Sequence, residues 1–231
     1  MAARYMPFPH DVQRNHSLDR SVGRRSLRLP HQKNIRCMSI AAINANKTRI
    51  VVLSGSLNNP SRTRVLLETI AQRIAPKLRA EVTVIDIAEL APVLGSAVAF
   101  DRLPPAVVEA QRQLASADLL ILGSPVYKAS YSGLFKHFLD LLEPSRLRGK
   151  VGILAATGGS DRHALVLEHQ FRPLLSFFEI NTVPAGVYLC DAEFDGYRLR
   201  DEAGAGSRRI DLAIEQALKL LPVPKALALA A

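Results

Sequence analysis

The chain has 231 residues, 48% of them hydrophobic, which suffices for one α/β domain with a substantial core. Residues 1–37 hold eight of the 30 basic and two of the 21 acidic residues, so the remainder carries only +3 of the formal net charge of +9. This nearly balanced body does not indicate nucleic acid as a partner, and no apolar run reaches the roughly 18 residues of a membrane span. Two cysteines, Cys37 and Cys190, indicate no disulfide framework, so a reducing, cytoplasmic location is expected.

The N-terminal segment, residues 1–47, is predicted to be a disordered basic extension. It contains arginine, histidine and proline but no apolar periodicity, and it lacks the apolar core of a secretory signal. Its composition slightly resembles an organelle transit peptide. The favoured interpretation is an extension from an upstream start codon, with Met38 opening the functional chain.

From Thr48 onward, short apolar runs alternate with segments of helical periodicity. The apolar runs predict five strands, at 49–54, 81–87, 118–123, 151–156 and within 182–189. The periodic segments predict helices that begin at the N-cap Ser61 and at about 106, 132, 164 and 202, whereas the proline-containing segment after the second strand predicts a loop. Five strand–helix units in series predict a doubly wound parallel sheet with its ligand crevice at the carboxyl ends of the strands. The pattern leaves two common strand orders open.

The loop after the first strand, residues 54–63, has neither a dinucleotide-binding glycine fingerprint nor a P-loop. It offers the hydroxyls of Ser56, Ser61 and Thr63, the charge of Arg62, and the free amides of a helix N-terminus. These groups suit a monophosphate. A polar loop that merely caps a helix would have the same composition.

The loop after the third strand begins with Pro125, Val126, Tyr127 and Lys128. Proline, tyrosine and small residues at the end of a central strand predict a rigid, partly apolar shelf that suits the ring of a flavin. The alternative is a turn whose aromatic side chains pack into the core.

The loop after the fourth strand contains Thr157, Gly158, Gly159 and Ser160. Two glycines allow the backbone to approach a flat ligand and to present N–H donors to it. Such donors suit the polar edge of a flavin, where negative charge grows on reduction. A glycine-rich turn into a helix explains the same residues equally well.

Together, in this order and spacing, the three loops resemble the NADPH-dependent FMN reductase family of flavodoxin-like proteins. The closest branch contains the reductases of two-component alkanesulfonate and methanesulfonate monooxygenase systems. The resemblance implies a flavodoxin-like domain at residues 48–222 with a C-terminal tail at 223–231, a five-stranded sheet of order 2-1-3-4-5 with helices on both faces, and a homotetramer built from dimers. It further implies hydride transfer from NADPH or NADH to FMN, with reduced FMN passed to a partner flavin-dependent monooxygenase.

The resemblance also implies roles for individual residues. The phosphate of FMN is expected to bind Ser56, Ser61, Arg62 and Thr63. The flavin ring is expected to lie against Pro125, Val126, Tyr127 and Lys128. The polar edge of the ring is expected to contact Thr157, Gly158, Gly159 and Ser160.

One helical position departs from the family pattern. In the sulfonate branch, the helix after the fourth-strand loop carries an extra residue, often tyrosine, which forms a π-bulge at the tetramer interface. The matching residue in this chain is His169. From the sequence alone, a solvent-facing helical histidine is the alternative interpretation.

Three other functions stay open: a flavodoxin-like quinone or azo reductase that retains FMN, an electron-carrier flavodoxin, and a non-catalytic FMN-binding module. The slightly basic body argues against an electron carrier, because these carriers usually have acidic surfaces. The sequence contains no metal-binding motif and no serine-hydrolase elbow. No catalytic side chain is assigned, because the redox chemistry belongs to the flavin.

Overall fold

The computed structural model describes residues 47–200 and 203–222. The predicted N-terminal extension, apart from Lys47, and the predicted C-terminal tail lie outside this part of the chain. Within it, no helix is long and apolar enough to cross a membrane.

A parallel sheet forms the centre of the domain. Its strands are β1 (Arg49–Ser54), β2 (Glu81–Asp86), β3 (Leu119–Pro125), β4 (Val151–Gly158), β5 (Asn181–Thr182) and β6 (Val187–Cys190). Hydrogen-bonded neighbours follow the order β2-β1-β3-β4-β5, and β6 also pairs with β4. The predicted flavodoxin-like order is therefore confirmed.

The predicted fifth strand is present in two pieces. Strand β5 pairs with the first residues of β4, and β6 pairs with its last four. Pro184 lies between the two pieces. Because proline has no N–H group to donate, it interrupts the ladder along β4.

Helices cover both faces of the sheet. They are α1 (Arg62–Leu78), α2 (Ile87–Leu94), α3 (Pro105–Ser116), α4 (Gly133–Asp140), α5 (Arg172–Phe177) and α6 (Ala205–Leu220). On β1, Ile50 and Val52 pack with α1 and α6, whereas Val51 and Leu53 pack with the helices of the opposite face. Burial on both faces explains why the strand is apolar throughout.

Helix α2 occupies part of the segment that was predicted as a loop, so that prediction was wrong. Asp86 caps the helix by accepting a hydrogen bond from the amide of Ala88 at 3.1 Å. Ile87 and Leu94 are fully buried, although Pro92 lies inside the helix. Burial of these side chains against the core outweighs the proline, which from the sequence indicated irregular structure.

The segment predicted as one helix at 164–178 is divided. A 3₁₀ turn at Asp161–His163 is followed by a π-helical turn at Leu167–Phe171, which leads directly into α5. His169 lies within the π turn. A role for it at a subunit interface stays a prediction.

A small hairpin follows the last strand of the main sheet and was not predicted. A 3₁₀ turn at Asp191–Glu193 leads into β7 (Phe194–Asp195), which pairs antiparallel with β8 (Arg198–Leu199). We call residues 191–199 the hairpin segment. It returns the chain toward the carboxyl ends of β1 and β4, where its Gly196 carbonyl contacts Arg62.

Candidate functional site

A cavity of about 410 Å³ lies at the carboxyl ends of β1, β3 and β4, within the usual size range of small-molecule sites. Its lining comprises Ser56, Asn58, Asn59, Pro60, Ser61, Arg62, Thr63, Pro125, Val126, Tyr127, Thr157, Gly158, Gly159, Asp191 and Tyr197. The structure thus brings all three predicted loops together. Of the predicted site residues, Lys128 and Ser160 are not part of the lining.

The first turn of α1 forms one end of the cavity. Ser61 caps the helix, and its Oγ accepts a hydrogen bond from the amide of Arg64 at 3.2 Å. The amides of Arg62 and Thr63 precede that bond and have no partner within the helix, because the first amides of a helix have no preceding turn. Together with the positive end of the helix dipole, they make this end suited to a phosphate.

Two buried threonines join the first and fourth-strand loops. The hydroxyls of Thr63 and Thr157 are 2.6 Å apart, and the two residues are 1% and 5% exposed. In such a pair one hydroxyl donates to the other, so the accepting hydroxyl keeps its own hydrogen for a further partner. Both residues line the cavity, and this hydrogen is therefore available to a ligand oxygen.

Ser56 shapes the loop at the mouth of the cavity. Its Oγ accepts from the amide of Asn58 at 3.1 Å and donates to the carbonyl of the same residue at 3.2 Å. The Asn58 side-chain amide donates to the Tyr127 hydroxyl at the long distance of 3.5 Å. The loops after β1 and β3 therefore meet through side chains as well as through the sheet.

The shelf predicted after β3 ends in a tight turn. The amide of Val126 donates to the carbonyl of Thr157 at 2.8 Å, which ties the shelf to the loop after β4. Tyr127 and Ser130 exchange two backbone hydrogen bonds, and the residues between them, Lys128 and Ala129, have φ values of 48° and 65°. Lys128 lies exposed at the tip of this turn and outside the cavity lining. Non-glycine residues in the left-handed conformation are often found at ligand sites.

Beneath the cavity, five residues form what we call the floor: Gly55, Gly123, Ser124, Ser132 and Phe135. The Ser132 hydroxyl donates to the carbonyl of Gly55 at 2.6 Å, and the Ser124 hydroxyl accepts from the amide of Ser132 at 2.9 Å. A Cβ at Gly55 would lie 2.7 Å from the Phe135 ring. Close packing thus requires glycine at this position.

The two glycines at the carboxyl end of β4, Gly158 and Gly159, serve different purposes. A Cβ at Gly158 would stand 2.2 Å from the hydroxyl of Tyr188, whereas a Cβ at Gly159 would meet nothing within 4 Å. The Tyr188 hydroxyl donates to the carbonyl of Ser160 at 2.6 Å, and burial raises the pKa of Tyr188 to about 12. The phenol therefore stays protonated at neutral pH and holds Ser160 back from the cavity, while the space over Gly159 is open to a flat ligand.

The hairpin segment completes the site, and the sequence analysis missed it. Arg62 donates through Nε to the carbonyl of Gly196 at 2.9 Å, and its Nη1 pairs with Asp191 at 2.9 Å. Asp191 and Tyr197 line the cavity. No local motif marks these two residues, whereas Asn58, Asn59 and Pro60 lie inside the first loop that the sequence analysis singled out.

The residues present fit an FMN molecule. Helix amides, hydroxyls and a guanidinium stand at one end, and proline, valine and tyrosine form an apolar shelf beside the open space over Gly159. In residues 47–200 and 203–222, no group of three or more His, Cys, Asp or Glu side chains could hold a metal ion.

Sequence comparison agrees with this geometry. Residues 48–195 match the family model described as NADPH-dependent FMN reductase. An FMN reductase (NADPH) of Pseudomonas aeruginosa is 42% identical over 172 residues, which are 74% of this chain and 91% of that protein. The NADH-dependent FMN reductase SfnE of Pseudomonas putida is 44% identical over 178 residues, which are 77% of this chain and 95% of that protein.

Solved structures give the same result. An oxidoreductase from Corynebacterium diphtheriae is 33% identical, with a TM-score of 0.67, and the match covers 76% of this chain and 97% of that one. The apo form of the NADH:FMN oxidoreductase EmoB is 30% identical, with a TM-score of 0.66, and the match covers 78% and 93%. The family model spans more than half of the chain and carries the loops that build the cavity, so this protein belongs to the NADPH-dependent FMN reductase family of oxidoreductases.

Proposed function

We propose that the protein is an NAD(P)H:FMN reductase that supplies reduced FMN to a partner flavin-dependent monooxygenase. The observation that carries this proposal is the cavity itself, in which an apolar shelf and a phosphate-binding helix end face one another across three βα loops. Membership of the FMN reductase family supports the same assignment.

The phosphate of FMN binds at the first turn of α1 in this proposal. The amides of Arg62 and Thr63 and the hydroxyl of Ser61 donate to phosphate oxygens, and the Arg62 guanidinium adds charge. The Ser56 hydroxyl donates to the phosphate in place of the Asn58 carbonyl, its partner in the ligand-free loop. The Thr63–Thr157 pair supplies one further hydroxyl hydrogen.

The flavin ring lies against Pro125, Val126 and Tyr127. Backbone amides of the Thr157–Ser160 loop stabilise the negative charge that grows at its polar edge on reduction. Lys128, at the exposed tip of the turn, contacts ligand only from outside the cavity. When bound, FMN supplies the redox chemistry by accepting a hydride from NADPH or NADH.

The chain itself binds and orients the two reactants. The cavity lining contains no histidine and no cysteine, and its one carboxylate, Asp191, is paired with Arg62. A hydride transfer needs no proton from a side chain, so this lining agrees with the reaction.

The openness of the site supports delivery of reduced flavin to a second enzyme. Tyr127 and Tyr197, both in the cavity lining, are 39% and 49% exposed. A ligand held at such an exposed rim can leave without unfolding any part of the sheet. The resemblance to reductases of sulfonate monooxygenase systems indicates that the partner is a flavin-dependent sulfonate monooxygenase.

A homotetramer is the proposed assembly. The π turn at Leu167–Phe171 has exposed apolar side chains on both flanks, Leu165 at 64% and Phe177 at 69%. Such π turns frequently mark functional positions, and exposed apolar side chains favour subunit contact. Sedimentation velocity should give the mass of a tetramer for the full chain and a smaller species for Phe177→Glu; a monomeric wild type would refute this assembly.

The function is tested with flavin-stripped full-length protein. NADH and NADPH oxidation is measured under anaerobic conditions while FMN is titrated, and FMNH₂ is followed by its absorbance. Saturable turnover that depends on added FMN is expected, and the reduced product should support a flavin-dependent sulfonate monooxygenase. Activity toward quinones or azo dyes only, with stoichiometric bound FMN, would assign the protein to the alternative reductase class.

A further inference from the structure

The guanidinium of Arg62 already has two partners. Its Nε donates to the carbonyl of Gly196 at 2.9 Å, and its Nη1 lies 2.9 Å from the carboxylate of Asp191. Bidentate binding of a phosphate needs both donors of one edge. A phosphate at the first turn of α1 can therefore take the Nε/Nη2 edge of Arg62 only if the Gly196 carbonyl gives way, and at Nη1 it meets the carboxylate of Asp191.

The backbone holds Asp191 firmly in place. The Glu193 carboxylate accepts from the amide of Cys190 at 2.8 Å and caps the 3₁₀ turn on which Asp191 stands. Phe194, directly after the turn, is 3% exposed and packs into the core. The hairpin segment thus presents a carboxylate to the phosphate end of the cavity in a defined position.

The Arg62–Asp191 ion pair contributes little to folding. The side chains are 37% and 54% exposed, and exposed ion pairs are worth little because water screens them. A carboxylate beside a phosphate site also repels the phosphate, which carries close to two negative charges at neutral pH. Its placement therefore opposes tight binding of a phosphorylated ligand.

We propose that Asp191 is a specificity-determining residue that weakens the binding of FMN by competing with its phosphate for Arg62. The inference deepens the proposed function and rests on it, because the competing ligand is the phosphate of FMN. Asp191 lowers the affinity for phosphorylated flavin and leaves that for riboflavin nearly unchanged. The result is rapid exchange of FMN, as a reductase that releases its flavin requires.

The test compares FMN with riboflavin, which has the same ring and no phosphate. Dissociation constants are measured by quenching of flavin fluorescence on flavin-stripped, full-length wild type, Asp191→Asn and Asp195→Asn. Asp195 lies in the same hairpin segment but outside the cavity lining, so its substitution changes the charge equally without contact to Arg62.

For Asp191→Asn, the Kd of FMN should fall about tenfold, the size expected when one charge near a dianion is removed at a solvent-screened site. The Kd of riboflavin and the properties of Asp195→Asn should stay close to those of wild type. Reduced FMN carries the same phosphate and should also leave more slowly, so the KM for FMN and kcat should fall together in steady-state turnover, a pattern that a loss of folding does not produce.

Two results overturn the inference. A higher Kd of FMN in Asp191→Asn would show that Asp191 orients Arg62 for the phosphate, and an equal or absent change for FMN and riboflavin would show that it does not act on the phosphate. The proposed function is judged separately on wild type. If wild type neither binds nor reduces FMN, that function fails; if it does both and the ratio of the two affinities stays unchanged in Asp191→Asn, only the inference fails.

Discussion

The floor of the cavity is closed to solvent, whereas its rim is open. Ser124 and Ser132 in the floor are fully buried, and their hydroxyls hydrogen-bond to backbone groups. We define the rim as the solvent-facing part of the lining, made of Asn58, Asn59, Pro60, Tyr127, Gly159, Asp191 and Tyr197. Its contacts are long hydrogen bonds or exposed ion pairs.

This difference separates stability from affinity. A change in the floor leaves a buried group without a partner or forces backbone atoms apart, so it lowers the free energy of unfolding. At the rim, solvent replaces the lost contacts, so a change there alters the affinity for the ligand and leaves the stability of the fold nearly unchanged. The site can therefore be tuned for weak or tight flavin binding at the rim while the sheet beneath stays the same.

The largest effect should come from Gly123→Ala in the floor. A Cβ there would stand 2.6 Å from the carbonyl oxygen of Ala155 on β4 and 2.8 Å from Leu67. Because the nearest atom belongs to the backbone of the sheet, we expect the free energy of unfolding to fall by about 3 kcal/mol. Chemical denaturation checks this value.

Gly133→Ala is the matched control, since a Cβ at Gly133 meets nothing within 4 Å and this residue begins α4. It should leave the stability unchanged or raise it by up to about 1 kcal/mol. Equal stability of Gly123→Ala and Gly133→Ala would contradict the picture of a tightly packed floor.

The next effect concerns the Thr63–Thr157 pair, which lies between floor and rim. Thr63→Val leaves the hydroxyl of Thr157 buried without its partner at 2.6 Å, and stability should fall by about 2 kcal/mol. The double variant with Thr157→Val removes both hydroxyls and should lose less than the two single variants combined. Denaturation of all four proteins gives the coupling energy, and strict additivity would argue against the hydrogen bond.

Arg62→Ala should act on the ligand and not on the fold. The Arg62 side chain is 37% exposed, so the stability should change little. The loss of a charged donor should weaken the binding of FMN by about 1.5 kcal/mol, which raises its Kd roughly tenfold. Riboflavin titrated beside FMN is the control. A parallel loss for both flavins would place the effect on the ring rather than on the phosphate.

Gly159→Ala should have the smallest effect, and it should not discriminate between FMN and riboflavin. Its new methyl group would enter open space in the cavity without touching the protein. Both FMN and riboflavin should bind about 1 kcal/mol more weakly, because the methyl group displaces the ring, and thermal stability should be unchanged. Unaltered binding of both flavins would show that the ring does not lie over Gly159.

Much of the fold could be predicted because its signals are local. The central strands β1, β3 and β4 are apolar runs with no polar alternation, since both faces of each strand are buried. Helix α2 could not be predicted in this way. Its eight residues include Pro92, and it is stabilised by the burial of Ile87 and Leu94 against residues distant in sequence.

The candidate site shows the same division. Ser61, Arg62 and Thr63 stand at a helix start, at the end of the loop that follows a strand, so the strand–loop–helix pattern alone predicts a phosphate-binding end. Asp191 and Tyr197 reach the cavity through the fold of the hairpin segment. Arg62 and Gly196 are 134 residues apart in the chain, so no local sequence pattern predicts their hydrogen bond.

By itself, the sequence determined the alternation of buried strands and amphipathic helices, the chemistry of the three loops, and the family resemblance that implied the strand order. Each of these depends on neighbouring residues or on periodicity within one element. Only the tertiary structure decided which residues close the phosphate end of the cavity and which glycines are required by packing. Those features depend on side chains that meet across the sheet and on a carboxylate brought to Arg62 by a distant hairpin.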